Sequence, residues 1–157
     1  MVGRAILAFL ALPGVVAGLM PWLIAGLDPM RGAGALGGGL LLYATGLAVV
    51  ALCAVEFYRA GRGTLAPWSP PKALVTGGLY RRTRNPMYWG VLMAVAGAGL
   101  AAGSPLVLIY MIVLAFAFHV RVTTHEEPWL ALRFPEAWKR YSLEVPRWGI
   151  RLRAWTG

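Results

Sequence analysis

The sequence predicts an all-α membrane protein that crosses the lipid bilayer about four times. Apolar residues make up 59% of its 157 residues, and the mean hydropathy of +0.63 is high for a soluble domain. Charged residues are absent from Ala5–Leu27, Gly32–Val55 and Asn85–Val120. An α-helix needs ~20 apolar residues to cross ~30 Å of hydrocarbon, so each run is long enough for at least one crossing.

The first two runs predict one spanning helix each, and residues 1–58 are expected to anchor the domain. Two pairs of glycines four residues apart, Gly14 with Gly18 and Gly34 with Gly38, predict close helix packing, because glycine lets two backbones approach. We expect a single membrane domain over residues 1–157. Within it, residues 59–157 hold a cytoplasmic loop, a hairpin and a tail.

The third run is too long for one crossing, because at ~1.5 Å per residue it would extend over ~54 Å. Gly103-Ser104-Pro105 lies at its middle and signals a turn. The run therefore predicts a helical hairpin with arms Pro86–Ala102 and Pro105–Val120. Whether this hairpin spans the bilayer fully or re-enters on one side stays open.

The tail from Thr124 to Arg153 mixes aromatic residues with charged ones. Tryptophan and tyrosine favour the headgroup level of a membrane, where an amphipathic helix lies in the plane of the interface. We therefore expect an interfacial, helical C-terminal tail that lies close to the central loop.

The net charge of +9 is distributed unevenly along the predicted topology. Arginine and lysine dominate the central loop and the tail, whereas the two other turns carry little charge. The positive-inside rule then predicts a multi-pass protein with both termini cytoplasmic, as in a bacterial inner membrane. Contact with anionic lipid explains the basic excess better than a nucleic-acid partner does.

The single Cys53 and two histidines without metal-binding spacing predict no metal site.

Two polar segments, Lys72–Gly90 and Arg121–Trp148, bracket the predicted hairpin. A hairpin returns its ends to one side, so it would bring together Tyr80, Asn85, Tyr88, Glu126 and Glu127. Each residue type also has a structural explanation, since Asn-Pro starts helices well, tyrosine is a common interfacial residue and glutamate suits a solvated helix. Ionisable groups this close to an apolar span are nonetheless often functional.

The same two segments resemble a known family. The segment KALVTGGLYRRTRNPMYWG at 72–90 is similar to the L-V-x-x-G-x-Y and R-[HN]-P-x-Y-x-G patterns of the isoprenylcysteine carboxyl methyltransferases. Residues 126–147 are similar to the E-E-x-x-L, F, Y and V-P-R elements that follow in that family. NPMYWG at 85–90 and EEP at 126–128 resemble the related phosphatidylethanolamine N-methyltransferases. The chain departs from the first family at Asn85, which replaces histidine, and at Pro135 and Trp138, which replace glycine and tyrosine.

This resemblance implies an integral membrane methyltransferase that uses S-adenosylmethionine. By position, it implies a cofactor pocket lined by Lys72, Leu74, Val75, Tyr80, Asn85, Pro86, Tyr88, Glu126 and Glu127. The candidate catalytic residues are Arg121, His125 and Glu127. Arg121 lies close to the arginine that the family uses near the methyl acceptor, and His125 or a glutamate is placed to take a proton from an amine acceptor.

The methyl acceptor stays open between a prenylated thiol or carboxylate, a phospholipid headgroup amine and a small apolar thiol, because an apolar pocket leaves little signature in a sequence. The expected partners are membrane lipid and a hydrophobic or lipidated acceptor. The alternative function is a non-catalytic membrane subunit or scaffold that keeps the methyltransferase fold. A small transporter is disfavoured, since Glu56 is the one ionisable residue that could lie deep in a span.

Overall fold

The structure, a computed structural model, describes residues 14–61 and 73–156. No strand occurs in these two ranges, and the prediction of an all-α protein is confirmed. The helices are α1 (Val15–Leu27), α2 (Leu36–Gly61), α3 (Pro86–Ala102), α4 (Pro105–Arg121), α5 (Glu127–Arg133) and α6 (Pro135–Glu144). The first turn of α1 is π-helical, a 3-10 turn covers Gly78–Arg81, and a π-helical turn at Val122–Glu126 joins α4 to α5.

Two helices are long and apolar enough to cross a membrane, judged by length and composition. They are Leu36–Arg59 within α2 and the continuous helical run Pro105–Arg133, each with a mean hydropathy of 2.1. The apolar helices α1 and α3 are shorter, and residues 5–13 of the first predicted span lie outside the described residues. Two candidate spans are therefore found in the described ranges, and four crossings stay a prediction.

The predicted hairpin is present, with arms that match the expected bounds to within one residue. Gly103 adopts φ 62°, a left-handed conformation that favours glycine, and it ends α3. Ser104 then caps α4 by accepting a hydrogen bond from the Val107 backbone N–H, and Pro105 occupies the first turn, where a missing backbone donor costs nothing. The Gly-Ser-Pro sequence thus dictates the turn locally.

The loop between α1 and α2 is tied to the hairpin turn by polar contacts. Asp28 is buried and accepts hydrogen bonds from the Ser104 hydroxyl and, at 3.1 Å, from the Leu106 backbone N–H. Arg31 Nε donates to the carbonyl of Ala102 at 3.0 Å, at the carboxyl end of α3. A cation at this end of a helix is favourable. These contacts hold α1 and the hairpin together at the end opposite the two polar segments.

Helices α2 and α3 pack backbone to backbone through small residues. A Cβ atom added at Gly46 would lie 2.5 Å from both the Gly90 carbonyl oxygen and the Ala94 backbone nitrogen. Gly39 similarly faces the backbone of Ala101, and Gly97 faces the backbone of Tyr43. This close approach aligns the start of α3 against α2, which fixes where the first polar segment enters the hairpin.

The prediction of packing at both glycine pairs of spans one and two is wrong in part. Among the described residues nothing lies within 4 Å of a Cβ added at Gly14 or Gly38, and at Gly18 the nearest atom is the Tyr43 hydroxyl at 4.0 Å. Gly34 does contact the backbone of Ala101. Four-residue spacing places two glycines on one helix face, but it does not say which face meets a neighbour.

Candidate functional site

The C-terminal tail lies along the segment that leads into α3. The backbone N–H of Arg84 donates to the Pro146 carbonyl at 2.9 Å, and that of Arg151 donates to the Arg82 carbonyl at 2.8 Å. A third such bond, at 3.0 Å, joins the N–H of Trp155 to the carbonyl of Arg81. The prediction that tail and central segment come together is thus confirmed by three backbone hydrogen bonds. These two segments, the tail and the segment that leads into α3, together form one side of the site.

The hairpin brings the two polar segments into direct contact. The Tyr88 hydroxyl donates to Glu126 Oε1 at 2.5 Å, although 38 residues separate them in sequence. Arg121 Nε donates to the same oxygen at 2.7 Å. Tyr88 lies in the first turn of α3 and Glu126 ends the π-helical turn after α4, so the contact forms where both arms emerge at one end. We refer to Tyr88, Glu126 and Arg121 as the motif junction.

Glu127 lies beside the junction and is held by two arginines. Arg147 donates to it through Nε at 2.8 Å and Nη2 at 2.6 Å, one bond to each carboxylate oxygen, and Arg84 Nη1 lies 3.0 Å from Oε1. The hydrogen bond to Glu127 raises the pKa of Arg147, whereas burial lowers the pKa of Arg84 despite the same carboxylate. Both oxygens of Glu127 therefore serve to connect α5, the tail and the segment before α3.

Asn85 occupies the N-cap position of α3 but does not cap the helix with its side chain. Its Nδ2 instead donates to the Arg147 carbonyl at 3.1 Å, and the Thr83 hydroxyl donates to the same oxygen at 3.4 Å. Asn85 is thus the N-cap residue that Asn-Pro predicts, but its side chain binds the tail through the amide nitrogen and makes no capping bond. Pro86 follows as the buried first residue of α3, as predicted.

The remaining cofactor candidates contribute to the core beneath this segment. Val75 and Tyr80 are buried together with Cys53, and Leu74 packs against the cluster of Trp138, Tyr141 and Val145. Burial raises the pKa of Tyr80 well above its ordinary value, so its phenol stays neutral. The Tyr141 hydroxyl donates to the Tyr80 carbonyl at 2.7 Å. Lys72 lies outside the described residues.

Arg121 and His125 border a groove on the outer face of α4. The groove has a volume of about 550 Å³ and is lined by Phe116, Ala117, Val120, Arg121 and His125. His125 is exposed, and its Nδ1 lies 2.5 Å from the Thr124 hydroxyl oxygen. Arg121 lines the groove and also bonds Glu126, so the groove leads from an apolar surface to the motif junction.

Sequence reasoning missed several residues around the junction. The Tyr88 ring packs against Phe118, with centroids 4.3 Å apart, and lies 6.2 Å from the Trp148 ring. Trp148 Nε1 donates to His119 Nδ1 at 3.1 Å. Arg84 and Arg147 stand within the motif patterns and could have been found there, but no local signal marks Trp148 or Phe118, because their role depends on how the tail folds back.

The described residues form an all-helical chain with two helices apolar and long enough to cross a membrane and a polar site at one end of a hairpin. A comparison with family models is more specific: the model described as phospholipid methyltransferase matches residues 34–137. The chain belongs to this family, as its two motifs predicted. No curated protein and no solved structure matches the chain significantly. Family membership indicates a methyltransferase of lipid-type acceptors, and with the two apolar helices it indicates a membrane protein.

Proposed function

We propose that this protein transfers a methyl group from S-adenosylmethionine to a hydrophobic or lipid-bearing acceptor at the membrane interface. One observation carries the proposal, namely the 2.5 Å contact of Tyr88 with Glu126, which unites the two motifs in one site. The phospholipid methyltransferase match supports the reaction class. Four crossings with both termini in the cytoplasm belong to the same proposal, since they would open the junction toward a soluble cofactor.

The residues around the junction fit the chemistry of this cofactor, which supplies an activated methyl group on a sulfonium cation. Aromatic faces and carboxylates suit a cation, and Tyr88 and Glu126 provide both. Arg84 Nε is buried and has no hydrogen-bond partner among the described residues, so it suits the carboxylate of the cofactor. The proposed cofactor set is Leu74, Val75, Tyr80, Asn85, Pro86, Tyr88, Glu126 and Glu127, with Lys72 from the segment that precedes it.

Catalysis would rest chiefly on alignment of donor and acceptor, because methyl transfer is an in-line displacement. In this proposal the acceptor's apolar chain lies in the groove beside Phe116 and Val120, and its polar group reaches Arg121 at the junction. A carboxylate or thiolate acceptor needs no base. An amine acceptor must lose a proton, which His125 on the rim of the groove is placed to accept.

Calorimetric titration of the purified protein with S-adenosylhomocysteine tests the proposed cofactor. We expect saturable binding. In a parallel titration with S-adenosylmethionine, which carries the sulfonium charge, Glu126→Gln should weaken binding at least tenfold because it removes a negative charge at the junction. Glu136→Gln changes an exposed glutamate on α6 and should leave binding unchanged. No binding at millimolar ligand would contradict the proposal.

The scaffold alternative has one observation in its favour, because Glu127 is fully engaged by Arg84 and Arg147. A carboxylate held in this way needs no ligand to explain it. The two functions differ in turnover. Binding of S-adenosylhomocysteine without methyl transfer to any membrane lipid or lipidated peptide would favour the scaffold.

A further inference from the structure

Trp148 lies beside the motif junction although it comes from the far end of the tail. Its position is fixed from three directions. Its backbone carbonyl accepts a hydrogen bond from Trp89 Nε1 at 2.9 Å, and its indole Nε1 donates to His119 Nδ1 at 3.1 Å. The preceding residue, Arg147, donates two hydrogen bonds to the Glu127 carboxylate. Trp148 also lies beyond residues 34–137, the part that matches the family model.

The rings of Trp148 and Tyr88 stand at an angle to each other. Their centroids are 6.2 Å apart with an interplanar angle of 56°, whereas Phe118 lies only 4.3 Å from Tyr88 and leaves no room for a ligand between them. The two bonds that Glu126 accepts in the described part of the chain, from Tyr88 and Arg121, both end on Oε1. Two inclined aromatic rings thus lie near each other, and one of them, Tyr88, is bonded to the Glu126 carboxylate.

Such a group is suited to an onium cation. The electron-rich face of tryptophan attracts a cation more strongly than that of other aromatic residues, and aromatic cages are a common solution for ligands whose positive charge carries methyl groups. Sulfonium and quaternary ammonium centres have no hydrogen to donate. A ring face therefore recognises them where an ordinary hydrogen-bond acceptor cannot.

We propose that Trp148, with Tyr88 and Glu126, forms the binding site for the onium centre of the reaction. This inference rests on the proposed function. The onium centre is either the sulfonium of S-adenosylmethionine or the quaternary ammonium of a fully methylated product. Trp148 is then a ligand-binding residue, and its bond to His119 serves to hold the indole in place.

The test compares a charged ligand with its neutral counterpart in the same variant. S-adenosylmethionine carries the sulfonium, whereas S-adenosylhomocysteine has a neutral thioether in its place. Trp148→Leu keeps an apolar side chain and removes the ring, so we expect its affinity for S-adenosylmethionine to fall about tenfold while that for S-adenosylhomocysteine changes less than twofold. Trp148→Phe keeps a ring and should retain most of the wild-type preference for S-adenosylmethionine, which is the ratio of its affinity to that of S-adenosylhomocysteine.

A matched control is Trp129→Leu, which changes a partly exposed tryptophan packed on Phe134 in α5. Both affinities should be those of the wild type. The ratio of the two affinities within one variant is insensitive to partial loss of folded protein. If Trp148→Leu weakens both ligands equally, Trp148 is a structural residue and the inference is overturned, while the proposed function still stands. If the wild-type protein binds neither ligand, the proposed function itself fails.

A second arm identifies the source of the cation. With S-adenosylhomocysteine saturating, choline serves as a probe for a trimethylammonium centre. Choline binding that Trp148→Leu abolishes would assign the site to the acceptor side. If choline does not bind and the preference for S-adenosylmethionine depends on Trp148, the site belongs to the cofactor. If neither effect depends on Trp148, the proposal is wrong.

Discussion

Removal of the Glu127 charge should destabilise the protein more than removal of either charge in an exposed ion pair. The side chains of Arg84 and Glu127 are 12% and 14% exposed, and breaking a buried pair by removing one partner costs about 3–5 kcal/mol because a charge is left buried. Arg147 is 36% exposed and regains water, so its share is at most about 1 kcal/mol. We therefore expect Glu127→Gln to lower the free energy of unfolding by about 3 kcal/mol, at the lower end of that range.

Equilibrium unfolding in detergent micelles would measure this loss. Arg147→Met should cost less, at most about 1 kcal/mol, because Arg147 is partly exposed and Arg84 still neutralises Glu127. Arg151→Met breaks the exposed pair with Glu144, whose side chains are 33% and 53% exposed, and should cost at most about 0.5 kcal/mol. If Glu127→Gln costs no more than Arg151→Met, the carboxylate does not hold these segments together and a ligand contact explains it better.

Three further predictions concern the packing, the distal loop and the junction. Gly46→Leu should prevent α2 and α3 from packing, since a Cβ at this position meets backbone atoms at 2.5 Å. Gly38→Leu is the control and should be tolerated, because nothing in the described chain lies within 4 Å of a Cβ there. The melting temperatures of the two variants in detergent test this difference. Asp28→Asn should lower the melting temperature at pH 7, because the hydrogen bond from the Ser104 hydroxyl stabilises the Asp28 carboxylate and lowers its pKa. This stabilisation is lost as the carboxylate is protonated, so the difference from the wild type should shrink as the pH falls below about 4. Tyr88→Phe removes the bond to Glu126 and should lower the methyl-transfer rate about tenfold, from the ~1.5 kcal/mol of a hydrogen bond to a charged group, in a labelled-cofactor assay.

The hairpin was predictable because its signals are local. Gly103 permits the left-handed turn, Ser104 caps the next helix, and proline at the first turn of each arm fixes where the helices begin. Each of these effects depends on neighbouring residues and so can be inferred from the sequence. The meeting of Tyr88 with Glu126 followed from the hairpin alone, without knowledge of any other contact.

The features that could not be predicted depend on contacts between distant parts of the chain. Asn85 stands where the sequence predicts a helix N-cap, but its side-chain amide donates to the Arg147 carbonyl in the tail. Glu127 lies in a motif that predicts a ligand-binding residue, but its carboxylate forms ion pairs with two arginines from separate segments. Gly46 meets α3, although no neighbouring glycine marked it as a packing residue. Helix faces and tail contacts are settled by three-dimensional packing, which spacing alone does not encode.

The most direct test of the proposed function is transfer of a labelled methyl group from S-adenosylmethionine in the presence of total membrane lipid. The wild-type protein should label a lipid or lipidated fraction, Glu126→Gln should reduce that label at least tenfold, and Glu136→Gln should leave it unchanged. Absence of label from every fraction, or equal labelling by the wild type and Glu126→Gln, would contradict a methyltransferase site at the junction of Tyr88 and Glu126.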